Sequence, residues 1–233
     1  MKSDTRPLQI AIDGPVAAGK GDIASRLGRE LQLVYIYTGA MYRMLALSCL
    51  KKGKSTHEEA DVLAILDEIH MELVPPTRIQ TDRVTTAMVD GVDVTDDIMR
   101  SEGAQGASDV ATIPAVRRRM VELQQTLSFG KSVVMEGRDI GLRVLPDAQL
   151  KIFLTASVEE RATRRLEQFE TKGIHKTFEE VLEETKVRDA QDSSRATDPL
   201  KKLPDSWELD TTSMTQDQVV NAITGELRRR GLL

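Results

Sequence analysis

LQIAIDGPVAAGKGDIASRLGREL, residues 8–31, decides how the rest of the chain is read. Leu8 to Ile12 is an apolar run that stops at Asp13, Gly14 to Lys20 spell G-x-x-x-x-G-K, and an amphipathic segment follows at once. A strand running through a glycine loop into a helix N-terminus forms a cradle for phosphate. Successive backbone N–H groups curl around the anion, and the helix behind them favours its charge. Gly14 and Gly19 stand where a Cβ would obstruct the loop or its close approach to phosphate. Lys20 would place an ammonium between the outer two phosphates of a nucleotide. The bland reading of the same letters is an ordinary glycine turn. The motif is irregular in two places: Gly21 occupies the usual Ser/Thr position, and Asp22 comes next.

The composition bounds the rest. A chain of 233 residues, 40% apolar and 30% charged, can bury a substantial core as one α/β domain with insertions. Its net charge of −5 argues against a nucleic-acid-binding surface. Cys49, the only cysteine, excludes an internal disulfide and sits in the apolar run AMYRMLALSCL, where it reads as a buried small hydrophobe. Met1 to Pro7 has no signal-peptide character and no stretch approaches a membrane span, so the expected location is cytoplasmic. His57, His70 and His175 show no metal-ligand spacing, and no protein-built metal site is expected.

Working outward from the loop, the pattern predicts strands at 8–12, 33–36, 132–135, 149–154 and 207–210, each followed by helix. Short apolar strands alternating with helices indicate a parallel sheet covered on both faces. Ser55-x-x-Glu58, Ser157-x-x-Glu160 and Thr177-x-x-Glu180 read as capping boxes. Between about Met71 and Asp97 the texture turns short, β-branched and turn-rich, with Asp90-Gly91 as a hairpin signal, which predicts a small antiparallel insert. Function in such folds gathers at the carboxyl ends of the strands, where Asp13-Gly14, Tyr37-Thr38 and Glu136 to Asp139 all fall.

Arginines mark the same places. Arg43 follows the second strand, Arg138 follows the third, and Arg188 and Arg195 flank Asp192. Arg118 and Arg119 read as a solvated helix face. Arg161, Arg164 and Arg165 share a helical stretch beside FETKGIHK, and two readings stay open for them: a lid closing over phosphates, or i,i+4 pairing with Glu160 on a surface helix. Asp13, Glu136 and Asp139 are the acidic candidates for holding magnesium-bound water or the acceptor, with a loop-capping role the alternative for Asp13. For Asp139, between Arg138 and Gly141, the functional reading is the better one.

Taken together, IAIDGPVAAGKG, TGAMYR, the β-rich insert, GASDVATIPAVRRRM, EGRDIG, LPDAQLKIFLTASVEERATRR and VRDAQDSSRATDPL resemble the bacterial cytidylate kinases nearly end to end. The resemblance implies an α/β, adenylate-kinase-like P-loop fold with a five-stranded parallel sheet. Its core would span 1–70, 98–160 and 196–233, with an NMP-binding insert at 71–97 and a lid at 161–195. It implies phosphoryl transfer from ATP to CMP or dCMP with Mg²⁺; the net charge, the lack of a spanning stretch and the lack of an extended exposed apolar face add the expectation of a monomer with no nucleic-acid or membrane partner. Carried over by position, Gly14, Pro15, Val16, Ala17, Ala18, Gly19, Lys20, Gly21 and Asp22 would bind ATP; on the lid reading, Arg161 and Arg165 would join them. Thr38, Arg43, Ser108, Arg117, Asp139, Arg188 and Asp192 would form the CMP side. Lys20, Arg138, Asp139 and Arg195 would serve the transfer itself. The alternatives are a P-loop kinase for another small acceptor, which the insert disfavours, and a nucleotide-binding protein with impaired catalysis, which Lys20 and the acceptor-side arginines disfavour.

The chain departs from that family pattern twice. Tyr37 stands where an Asp is usual, and Asp22 where Thr or Ser is usual, so a hydroxyl donor is lost and a charge added. A carboxylate ~5 Å from a phosphate costs about 3 kcal/mol at an effective dielectric of ~20. Magnesium and nearby arginines offset much of this. Asp22→Thr is therefore expected to lower the Michaelis constant for ATP, read from initial rates at saturating acceptor. An unchanged or raised constant refutes the electrostatic account.

Overall fold

The computed structural model describes residues 6–74, 85–99, 101–171, 173–195 and 197–233, with nothing of the side chains at 101–105. In chain order the elements are β1 (Gln9–Asp13), α1 (Lys20–Glu30), β2 (Val34–Tyr37), α2 (Thr38–Lys51), α3 (Glu59–Glu68), β3 (Met71–Val74), β4 (Thr86–Val89), β5 (Val92–Asp93), α4 (Ser101–Val110), α5 (Pro114–Ser128), β6 (Val133–Gly137), β7 (Leu150–Thr155), α6 (Val158–Thr171), α7 (Phe178–Ser194), β8 (Trp207–Asp210) and α8 (Gln216–Arg229). A 3₁₀ turn, Asp97–Met99, precedes α4, and a π-type turn, Ile140–Val144, follows β6.

The chain divides into two compact units, one of Met1–Val34 with Gly130–Leu233 and one of Tyr35–Phe129. The main sheet has the order β2-β6-β1-β7-β8. β1 lies between two parallel neighbours, pairing Ile12 with Glu136 on one side and Ile152 on the other. Flanked on both edges and covered on both faces, it carries Ile10, Ala11 and Ile12 at 0% exposure, which is why it reads as a continuous apolar run. Val34 starts β2 by donating its N–H to the Ser132 carbonyl at 2.9 Å.

In the second unit the core gathers Met41, Met44, Leu45 and Cys49 of α2 with Val62 and Ile65 of α3 and Val116 and Met120 of α5. The insert forms an antiparallel sheet of order β3-β4-β5, its β4–β5 hairpin turning on Asp90 and Gly91 at φ 51° and 79°. Residues 75–84, including RIQTDR of the expected insert, lie outside the described residues.

The capping expectations divide. Thr177 forms a full capping box with Glu180, and Ser157 Oγ accepts from the Glu160 N–H at 3.2 Å. Ser55 does not head a helix. Its hydroxyl accepts from the N–H groups of both His57 and Glu58, closing a turn ahead of α3, which starts only at Glu59. Lys54 holds Asp61 of that helix at 3.0 Å, and the Ser55 N–H donates to the same carboxylate, so the serine is consumed by the turn.

Gly14 is required by the sheet as well as by the loop. A Cβ there would stand 2.0 Å from the Leu154 carbonyl oxygen of β7. The atoms it would meet are all Leu154 backbone, with no flexible side chain to give way, so Gly14→Ala is expected to destabilise the fold by about 2 kcal/mol or more. Urea unfolding tests it, and a midpoint unchanged from wild type contradicts this packing.

Candidate functional site

The glycine loop leaves β1 at Asp13 and enters α1 at Lys20. Ala17 at φ 57° and Gly19 at φ 85° put left-handed turns into the loop, and Gly19 is the N-cap of α1. These reversals curl the backbone so that successive N–H groups converge, the geometry of an anion nest. Lys20 is buried at 5% exposure and donates from Nζ to the Pro15 carbonyl at 2.7 Å. Burial lowers its pKa to about 7, with the Arg138 guanidinium adding to the shift and Glu136, Asp192 and Asp13 opposing it.

Asp13 serves as a clamp. Its two carboxylate oxygens accept from the N–H groups of Ile140 and Gly141, each at 2.8 Å. The end of the central strand thereby holds the turn that follows Glu136-Gly137-Arg138-Asp139, and of the two readings open for Asp13 the geometry favours the loop cap. Burial pushes the Asp13 carboxyl up to about 6, against the two backbone hydrogen bonds.

Beside the loop, guanidinium groups surround one buried carboxylate. Arg138 Nε donates to Asp192 Oδ2 at 2.6 Å, and Arg188 Nε lies 3.7 Å from Asp192 Oδ1. Burial alone would raise the Asp192 carboxyl, but Arg138, Arg188 and Arg195 more than reverse this and hold it below the ordinary carboxylate value. Arg188 feels the repulsion in turn: burial first, then Arg138, Arg165 and Arg195, lower its pKa despite Asp192. Arg188 Nε is buried without a hydrogen-bond acceptor among the described residues. Arg195 reaches the Asp198 carbonyl at 3.3 Å.

On α6 the three arginines differ. Arg161 is buried and bonds to Ala156, Val16 and Asp189. Arg164 pairs with Glu160 at 2.9 Å and donates to the Thr211 carbonyl at 2.8 Å. Arg165 lies over the Phe169 ring at 5.2 Å. A cleft of about 490 Å³ opens beside the loop between Gly19, Asp22, Arg164, Thr211 and Gln216. Asp22 is exposed there, and desolvation by its surroundings still raises its carboxyl above the ordinary value. Thr211, from the β8–α8 loop, and Gln216, the first residue of α8, line the cleft without being singled out in the sequence, although Thr215 and Gln218 cap that helix reciprocally.

The second unit holds its candidates on three helices. Thr38 is buried at the first position of α2, and Arg43 donates to the Ile98 carbonyl at 3.1 Å. Ser108 lies on α4, where Gly106 packs so closely on α2 that an added Cβ would stand 3.0 Å from the Ala46 Cβ. Arg117 of α5 is 2% exposed and reaches the Ala111 carbonyl at 3.5 Å. Arg118 and Arg119 are exposed, and Arg119 pairs with Asp67 at 2.8 Å, a solvated face as expected.

A central parallel sheet, a glycine loop between β1 and α1, and cations gathered at the strand ends define a P-loop phosphotransferase. The family model described as cytidylate kinase matches residues 10–229. The cytidylate kinase of Geobacillus kaustophilus is 48% identical over 219 residues, covering 94% of this chain and 95% of the relative. That of Anoxybacillus flavithermus is 46% identical over 218 residues with the same coverage. A crystal structure of an uncharacterized protein from Eubacterium ventriosum, 14% identical, superposes with a TM-score of 0.53 over 96% of this chain and 99% of the other, a likeness of fold alone. The chain belongs to the cytidylate kinase family, the nucleoside monophosphate kinases that phosphorylate CMP and dCMP.

The buried Asp13 links stability to pH. Its folded-state pKa of about 6 lies above the ordinary 3.8, so between these values the folded state binds more protons than the unfolded chain. Its contribution is most favourable below pH 4 and falls by about 3 kcal/mol as pH rises through 6. The stability difference between wild type and Asp13→Asn should shift towards wild type on acidification from pH 7 to 4 and stay flat above 7. Urea titrations across that range measure it, and a difference independent of pH contradicts a buried ionised Asp13.

Proposed function

We propose that the chain transfers the γ-phosphoryl group of ATP to CMP or dCMP, with Mg²⁺ accompanying the nucleotide. One observation carries the reading of the transfer site. Lys20, Arg138, Arg188 and Arg195 crowd together around Asp192, although burial, and after it like charge, depresses the pKa of both Lys20 and Arg188. Such crowding is unfavourable unless a polyanion offsets it, and transferred phosphate is that polyanion.

On the donor side the loop from Gly14 to Asp22 holds the phosphates, and the cleft beside it takes the nucleoside, with Arg165 on the α6 flank. Lys20, Arg138 and Arg195 stabilise charge on the moving group, and Asp139 orients the acceptor. The acceptor-side assignments are Asp139, Arg188 and Asp192 in the first unit and Thr38, Arg43, Ser108 and Arg117 in the second. Arginine forks match phosphate, and a Ser/Arg pair can satisfy the cytosine N3, O2 and amino groups.

The residues fit a magnesium ion carried by the nucleotide. Among the described residues no three His, Cys, Asp or Glu side chains gather into a cage, and the Asp13 oxygens are engaged by backbone N–H groups. Glu136 and Asp139, at the end of β6, would hold its water shell. When bound, the ion neutralises phosphate charge. The reading further takes the protein as a cytoplasmic monomer. Among the described residues no helix is long and apolar enough to cross a membrane.

The test is a coupled assay of ADP release with ATP and magnesium, offering CMP, dCMP, UMP, AMP and shikimate in parallel. Turnover is expected on CMP and dCMP, weakly on UMP and not on the others, with Arg188→Ala lowering kcat/KM for CMP at least 100-fold. No turnover on any acceptor, with CMP still binding by calorimetry, would leave a binding protein in place of the kinase.

A further inference from the structure

Arg161 is buried at 6% exposure, and its guanidinium joins three elements. Nε donates to the Ala156 carbonyl at the end of β7 at 3.0 Å, Nη1 to the Val16 carbonyl of the glycine loop at 3.2 Å, and Nη2 meets Asp189 Oδ2 of α7 at 2.7 Å. A guanidinium held on each edge has little freedom left to swing toward a ligand. Its planar fork also suits three fixed acceptors in a way that an ammonium cannot.

The Val16 bond fixes more than one carbonyl. Peptide units are planar and trans, so the Val16 C=O and the Ala17 N–H point in opposite directions. Holding the carbonyl outward aims that N–H into the curl, where an anion would sit. Ala17 needs the help, because its φ of 57° is unfavourable for a residue with a Cβ. The neighbouring Pro15 carbonyl is held in the same way by Lys20. On the far side of the link, Asp189 Oδ1 is buried with no hydrogen-bond partner among the described residues. Asp189 thus meets Arg161 through Oδ2 while its other oxygen is left without a hydrogen bond among the described residues. Asp189 sits on α7 between Arg188 and Asp192, both of which carry acceptor-side assignments.

We propose that Arg161 is a positioning residue that aims the Val16–Ala17 peptide at the donor phosphates and, through Asp189, couples the glycine loop to the helix that receives the acceptor nucleotide. Donor and acceptor then strengthen each other's binding through one buried ion pair. The coupling rests on the kinase reading above, whereas the orientation of the loop does not.

The experiment compares wild type, Asp189→Asn and Arg161→Lys. Affinity for a non-hydrolysable ATP analogue is measured by calorimetry with and without CMP, and hydrogen exchange is followed at the amides of residues 16–19. Wild type should bind the analogue several-fold more tightly with CMP present. Asp189→Asn, which alters a side chain remote from the donor, should reduce that factor below twofold and speed loop exchange about tenfold at an unfolding temperature close to wild type. Arg161→Lys should weaken the analogue at least tenfold. If Arg161→Lys fails to fold, Asp189→Asn decides alone. Coupling and protection of wild-type size in Asp189→Asn overturn the proposal, as does a wild type that binds both nucleotides without coupling. A wild type that neither binds nor phosphorylates CMP refutes the kinase reading instead, and the exchange rates of Asp189→Asn then decide the positioning role by themselves.

Discussion

The two hydrogen bonds that Asp13 accepts from the N–H groups of Ile140 and Gly141 are the constraint on which the first unit depends. They join the carboxyl end of the central strand to the turn after β6, so the glycine loop and the Arg138-Asp139 pair start from a common anchor. The turn must come close for this: a Cβ on Gly141 would lie 3.4 Å from Asp13 Oδ2 and 3.2 Å from the Lys151 side chain. The anchor is not intrinsically favourable, since the carboxyl is held in a site that disfavours its charge. Its benefit is positional, in that a loop built from Gly, Pro, Val and Ala has no polar side chain with which to fix itself.

Around that anchor the unit concentrates positive charge and compensates it sparingly. Asp192 neutralises part of the arginine cluster and Asp189 engages Arg161. Lys20 answers to burial and to Arg138 by becoming easier to deprotonate. Such a site is tuned to an anion: the ligand supplies the counter-charge that the protein withholds. Asp22 runs against this scheme by placing a carboxylate where the cleft meets the loop. Within α1 the same residue is favourable, because a first-turn acid complements the helix dipole.

Much of this was legible in the chain. The five strands of the main sheet announce themselves because burial on both faces leaves little room for polar residues, and the strand–loop–helix order located the phosphate cradle. Thr177 and Glu180 revealed a helix start because their reciprocal hydrogen bonds need only local geometry. Ser55 carried the same letters and misled, since Lys54 and Asp61 draw that segment into a turn first. The π-type turn after Asp139 has no sequence code, as it exists through a contact with a residue 127 positions earlier. The role of Arg161 was hidden for a similar reason. Its spacing on α6 resembles that of Arg164 and Arg165, and only the tertiary partners Val16 and Asp189 set it apart. Thr211 and Gln216 reach the cleft beside the glycine loop from the start of α8 and the loop before it, where no residue pattern marks them as lining residues.

The order of elements along the chain also dictates the order in which the molecule can be made. β1 is synthesised before its partners β6 and β7, which come only after the whole of the second unit, and Leu8 finds its Ser132 hydrogen-bond partner 124 residues later. The second unit is continuous in sequence and can collapse on its own local contacts while the ribosome is still adding β6. During that interval β1 is an apolar strand with both edges unpaired, and closing so long a loop is slow compared with helix formation. Placing the glycine loop on the central strand therefore makes it wait for the whole second unit before either edge of its strand can be paired.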